Sequence, residues 1–159
     1  MQRLKYHSAV IFVSDIAQSK DFYTKVLGLR VDMDMGNNII FSNGVLIWKM
    51  GDGHIIQKTI GADRIRNRGN GFELYFETDD IGPVFQNLTE QGVKFLHGIH
   101  EEPWGQKTVR IFDPDENIIE IGETLECFIN RMRVSGMGID DIAGKTGMKT
   151  EDIQRVLKK

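Results

Sequence analysis

Three charged residues, Glu73, Arg110 and Glu120, stand among apolar neighbours, where pairing or chemistry must account for them. Strand alternation sends Arg110 to the face opposite Val109 and Ile111, and Glu120 to the face opposite Ile119 and Ile121. Glu73 and Tyr75, two residues apart, share one face of their strand. A buried carboxylate without a charged partner is costly, so Arg110 is expected to pair with at least one of the two glutamates. The same residues suit proton transfer, since a carboxylate beside an abstractable proton serves as a base and Arg110 can stabilise the anion that forms. A second patch runs His97-Gly98-Ile99-His100-Glu101-Glu102-Pro103-Trp104-Gly105-Gln106. It reads as a loop from which His100 and Glu101 can act as acid and base. His97 and His100 are close enough to suggest a metal, but nothing in the pattern fixes their orientation.

These residues lie on elements that occur twice. Ser8 to Ile16 leads into a helix containing Phe22-Tyr23-Thr24-Lys25-Val26-Leu27-Gly28, and Glu73 to Ile81 leads into a helix ending near Gly92. Asp15, the expected cap of the first helix, aligns with Asp80. A repeat of this length implies two copies of one supersecondary unit. The first copy is expected as a strand buried on both sides, a helix, and strands Leu29 to Met33, Asn38 to Phe41 and Val45 to Met50, with hairpin turns at Gly36-Asn37 and Asn43-Gly44. The second is expected as strand 72–78, helix 81–91 and strands 93–97, 106–112 and 117–121, the last two joined by Asp113-Pro114-Asp115-Glu116. Between them, residues 51–70 read as a polar, glycine-rich linker with a basic run over 64–68.

The Phe22 to Gly28 segment after a strand ending Val13-Ser14-Asp15, with Asp113-Pro114-Asp115 before a strand containing Glu120, resembles the glyoxalase, bleomycin-resistance and extradiol-dioxygenase superfamily, the vicinal oxygen chelate proteins. The resemblance spans about residues 6–122. It implies an α+β fold of two βαβββ modules, 6–50 and 71–122, curled into an eight-stranded cup within a domain spanning 1–124. Family members with metal chemistry take one ligand from the first and last strand of each module. Glu120 and Glu73 match two of those positions and would be the ligands, or the catalytic acid and base, of an enzyme. Ser8 and Trp48 fall at the other two, and neither suits a metal. His7 is offset by one residue, so alternation turns it away unless a bulge intervenes. The resemblance also places Pro103-Trp104-Gly105 at the rim of a cleft, where an indole can cover an apolar ligand. A ligand pocket would then be lined by Trp48, Glu73, Tyr75, Arg110 and Glu120 and covered by Trp104.

Residues 125–159 fall outside that pattern and read as a helical extension: one amphipathic helix over Leu125 to Val134, then two helices about Thr146-Gly147-Met148 in a helix-turn-helix arrangement. Glu151 and Asp152 follow Thr150, the expected cap, and stand where a recognition helix would meet phosphate, which argues against nucleic acid. Over 159 residues the formal net charge is -3, which gives no general attraction to nucleic acid or anionic membrane. One cysteine rules out an internal disulfide framework, and no apolar run approaches the roughly 20 residues of a membrane span. A cytoplasmic protein is expected, and a homodimer, because Phe128, Ile129, Met132 and Val134 would otherwise be exposed. Three functions are compatible with these readings. The first is a cofactor-free pocket for a small organic ligand, the second a lyase, isomerase or dioxygenase-type enzyme using a divalent metal, and the third a ligand-sensing regulator working through the helical extension.

Overall fold

The computed structural model describes residues 6–61, 63, 65 and 73–158. It contains the two-module α+β fold, with two four-stranded sheets of the same internal order, and a C-terminal helical extension. The chain divides into two units, one comprising Met1–Gly71 with the turn Asp113–Asn117 and the other Phe72–Phe112 with Ile118–Lys159.

In the first unit, β1 (Ala9–Phe12) leads to helix α1 (Ile16–Asp21), which continues as a π-helical turn over Phe22–Val26. Asp15 has extended backbone angles, and its carboxylate accepts from the Ala17 and Gln18 amides at 2.9 and 3.1 Å. Those bonds satisfy amides that a helix start leaves without intrahelical partners. Strands β2 (Val31–Asp34), β3 (Asn38–Phe41) and β4 (Val45–Trp48) complete a sheet ordered β1-β4-β3-β2, with β1 and β4 parallel. Ile11, Ile39, Phe41 and Ile47 are buried, whereas Val10 is exposed, so β1 is covered on one side rather than two. The fully buried Tyr23 donates to Asp113 at 2.9 Å, and burial pushes its hydroxyl well above the ordinary tyrosine value, keeping it a donor. The Asp113 carboxylate also accepts from the Asp115 and Asn117 amides, which closes the turn through Glu116 at φ 64°.

The segment expected as a bare linker holds a short helix, α2 (Ile55–Ile60), capped by His54 Nδ1. Residues 62, 64 and 66–70 of that segment lie outside the described residues.

In the second unit, β5 (Glu73–Thr78) leads through the cap Asp80 into α3 (Ile81–Glu90). Strands β6 (Phe95–Glu101), β7 (Lys107–Phe112) and β8 (Ile118–Glu123) give the order β5-β8-β7-β6, with β5 and β8 parallel. Val109, Ile111, Ile119 and Ile121 are buried on one face of this sheet, and α3 contributes Ile81 and Leu88 to the core. Strand β6 is longer than the expected 93–97 and contains register shifts on both sides of His97. His100 and Glu101 are therefore strand residues, and the loop before β7 begins at Glu102.

The extension consists of α4 (Leu125–Val134), α5 (Ile139–Thr146) and α6 (Thr150–Val156). Gly147 takes the left-handed conformation, φ 72°, that ends α5. Lys149 rather than Thr150 occupies the cap position of α6, without a side-chain hydrogen bond. Phe128, Ile129 and Met132 are buried against Ile142 and Ile153 within the chain itself. They therefore offer no surface to a second copy, and only Val134, 89% exposed, remains of the four expected there. Among the described residues no helix is long and apolar enough to cross a membrane.

Candidate functional site

On the polar face of the second sheet, register places Arg110 of β7 beside Glu120 of β8 and His97 of β6. Tyr75 of β5 lies beside Glu120 from the other side. Side-chain contacts follow that register. Arg110 Nε donates to Glu73 Oε2 at 2.9 Å, Nη1 donates to Glu102 Oε1 at 2.8 Å, and Nη2 forms an ion pair with Glu120 Oε2. Three carboxylates share one guanidinium, so the cluster itself holds more acidic than basic groups. Glu120 is 5% exposed, a depth at which an ionised carboxylate needs such a partner. The hydrogen bond from Arg110 holds the Glu102 carboxyl below the ordinary glutamate range. Desolvation works against the Arg110 charge, but the hydrogen bonds to Glu102 and Glu73 outweigh it and hold the group protonated.

His97 belongs to the same cluster. Its Nδ1 lies 2.7 Å from the Gly98 carbonyl and its Nε2 lies 3.3 Å from Arg110 Nη1. One tautomer satisfies both contacts: Nδ1–H donates to the carbonyl, and Nε2 accepts from the guanidinium. The His100 ring stands edge-on to it, centroids 5.8 Å apart.

A second chain of contacts carries the aromatic residues. Trp104 Nε1–H donates to Gln106 Oε1 at 3.1 Å, and Gln106 Nε2 donates to the Tyr75 hydroxyl and the Glu123 carbonyl, each at 2.7 Å. Gln106 is buried, whereas Trp104 and Tyr75 are 40% and 47% exposed. Two open aromatic surfaces thus stand on one buried amide. Gly122 makes room for them, because a Cβ there would lie 2.8 Å from Gln106 Nε2 and 3.1 Å from the Tyr75 ring. Gly122→Ala is accordingly expected to displace both side chains and cost about 1–3 kcal/mol, seen as a lower urea midpoint together with a shift in tryptophan emission.

The remaining expected residues make contacts of their own. Trp48 belongs to the first unit, where its ring packs 5.6 Å from Phe12 and 5.0 Å from His54. His7 is exposed, with Nδ1 3.1 Å from its neighbour Ser8 Oγ. Glu101 turns from the Arg110 cluster to Lys145 and Arg131, and its hydrogen bond from Lys145 holds it below the ordinary glutamate range. Glu102 was not among the residues expected from the sequence. The only available signal was its place beside Glu101, and two adjacent acids do not reveal which one faces Arg110.

The resemblance would have Glu73 and Glu120 hold a metal, and the donor chemistry of the second unit does not fit one. A divalent ion needs several lone pairs converging on one point. Here both glutamates converge on a guanidinium, which already supplies the positive charge, and His97 Nε2 accepts from the same group. Among the described residues, no three His, Cys, Asp or Glu side chains are grouped to hold a metal ion.

The fold repeats one module twice, and the glyoxalase-like domain family matches residues 6–126. The chain belongs to that family. This glyoxalase-like protein is 27% identical over 122 residues to the uncharacterised protein YraH of Bacillus subtilis strain 168, covering 72% of the chain and 94% of YraH. The solved structure of a protein of unknown function from Agrobacterium tumefaciens strain C58 matches with TM-score 0.64 and 32% identity, over 79% of this chain and 98% of that one. A glyoxalase/bleomycin resistance protein/dioxygenase family enzyme from Burkholderia phytofirmans PsJN matches with TM-score 0.63 over 77% of this chain and 100% of that one. At 18% identity that likeness speaks for the fold alone. The family match stops at residue 126, inside α4, so most of the helical extension lies beyond it.

Proposed function

We propose that this glyoxalase-like protein binds a small organic ligand, without a metal, on the polar face of its second module. The observation that carries the proposal is the Arg110 cluster, with carboxylates fixed by a guanidinium beside half-exposed Tyr75 and Trp104. Aromatic surface on a rigid polar base suits a ligand with a planar or apolar body. The surplus of acidic over basic groups in that cluster favours a hydrogen-bond donor or cationic group at its other end. In that complex Glu73 is the carboxylate most open to the ligand, Glu120 anchors Arg110, and Trp104 covers the bound molecule. A cytoplasmic homodimer belongs to the same proposal; light scattering reads the assembly, with α4 contributing little to it.

The test is a fluorescence titration of the metal-free protein against a library of aromatic amines and neutral aromatic compounds. Hits should bind about tenfold more weakly to Trp104→Ala, a loss of about 1.4 kcal/mol, and the amines should also weaken in Glu73→Gln. Hits that bind both variants unchanged would place the site elsewhere.

A further inference from the structure

The loop that carries Trp104 is held from outside the family domain. Arg131 of α4 grips Glu123 with both ends of its fork, Nε to Oε1 at 2.9 Å and Nη2 to Oε2 at 2.7 Å. The same Nη2 donates to the Gly105 carbonyl, and Nη1 reaches Glu101 Oε2 at 3.3 Å. Lys145 of α5 donates to the other Glu101 oxygen at 2.9 Å. Glu101 and Gly105 bracket the turn, which closes on itself through the Glu102 amide to the Gln106 carbonyl and the Gly105 amide to the Glu102 carbonyl, each at 2.8 Å. The extension also lies close against the turn, for a Cβ on Gly105 would come within 2.9 Å of Met132 Sδ and 3.2 Å of Lys145 Cε. Glu123, 3% exposed, accepts from the Lys107 amide as well, so the next strand starts from the same anchor.

We infer that Arg131 and Lys145 are positioning residues, through which the C-terminal helices fix the Glu102–Gln106 loop and thereby the places of Trp104 and Glu102 on the ligand face. Two adjacent acids divide the work: Glu101 is tied to the extension and Glu102 to Arg110. Movement of α4 and α5 is transmitted to the aromatic cover by charge-assisted bonds, which are shorter and stronger than neutral ones. Arg131 and Lys145 both lie beyond residue 126, so this control is an addition to the family domain. The inference rests on the proposed ligand face only for what the loop carries; that the extension holds the loop can be measured without a ligand.

The experiment is acrylamide quenching of Trp104 in the full chain, in a Trp48→Phe background that leaves one indole, with circular dichroism confirming the native fold. Arg131→Lys keeps the charge but loses the two-pronged grip, and should raise the Trp104 quenching constant by about twofold while the protein remains folded. Lys145→Ala removes a partly exposed pair and should shift quenching in the same direction by less; it decides the matter if Arg131→Lys does not fold. A purely structural role for these residues would lower the unfolding midpoint and leave native-state quenching unchanged. Unchanged quenching in a folded variant would overturn the inference. Ligand hits indifferent to Trp104→Ala would instead overturn the proposed function and leave the loop measurement standing.

Discussion

Arg110→Met should lower stability by about 3–5 kcal/mol, the cost of leaving buried carboxylates without their counter-charge. For a chain of this length that corresponds to a fall in Tm on the order of 10 °C, measurable by thermal unfolding followed by circular dichroism. The loss should depend on pH. Arg110 holds the Glu102 carboxyl below its ordinary value of 4.5, so its stabilisation is complete above that value and is lost as pH falls through the lower native one. In Arg110→Met the uncompensated carboxylates take up protons instead, which relieves the penalty. The gap between the two proteins should therefore be widest near neutrality and shrink as pH falls, first as the carboxylates of the variant protonate and then as Glu102 of the wild-type chain does. A gap of constant size would mean that Arg110 acts through packing alone.

The second large effect concerns the extension. Ile142 of α5 is fully buried with Phe128, Ile129, Met132 and Ile153, and this cluster is the core of the three helices. Ile142→Ala should cost about 2–5 kcal/mol, through lost burial and the cavity left behind. Because α4 and α5 also hold the Trp104 loop, Trp104 emission should change in the same variant before global unfolding. Urea denaturation followed separately by tryptophan emission and by far-ultraviolet circular dichroism would show this as an early fluorescence transition. Coincident transitions at an unaltered midpoint would mean that the cluster contributes little.

Strand parity was the part of the site most readable in the sequence. Arg110 between Val109 and Ile111, and Glu120 between Ile119 and Ile121, each had one feasible orientation once a buried face was assumed, and β7 and β8 pair regularly enough to keep it. Strand β6 was not readable in the same way. Its two register shifts break the alternation around His97, so its first residues read as a strand while its second half, through His100 and Glu101, looked like a loop. Helix α2 lay hidden in a glycine-rich stretch, since its six residues carry too little periodicity to show against that composition. The helical extension was legible in its elements, because Gly147 and the apolar spacing mark two helices around a turn. Its role was not: Arg131 and Glu123 stand eight residues apart on a helix and a strand, a separation no single periodicity links.

The Arg110 face is proposed to take an organic ligand without a metal. Isothermal titration of the best library hit, in buffer with excess chelator and again after addition of zinc or nickel, tests that claim most directly. The expected result is the same Kd in both buffers for the wild-type chain and weaker binding in Trp104→Ala. Binding that disappears with the chelator, returns with the metal and is abolished in Glu120→Ala would contradict the claim and make Glu120 a metal ligand.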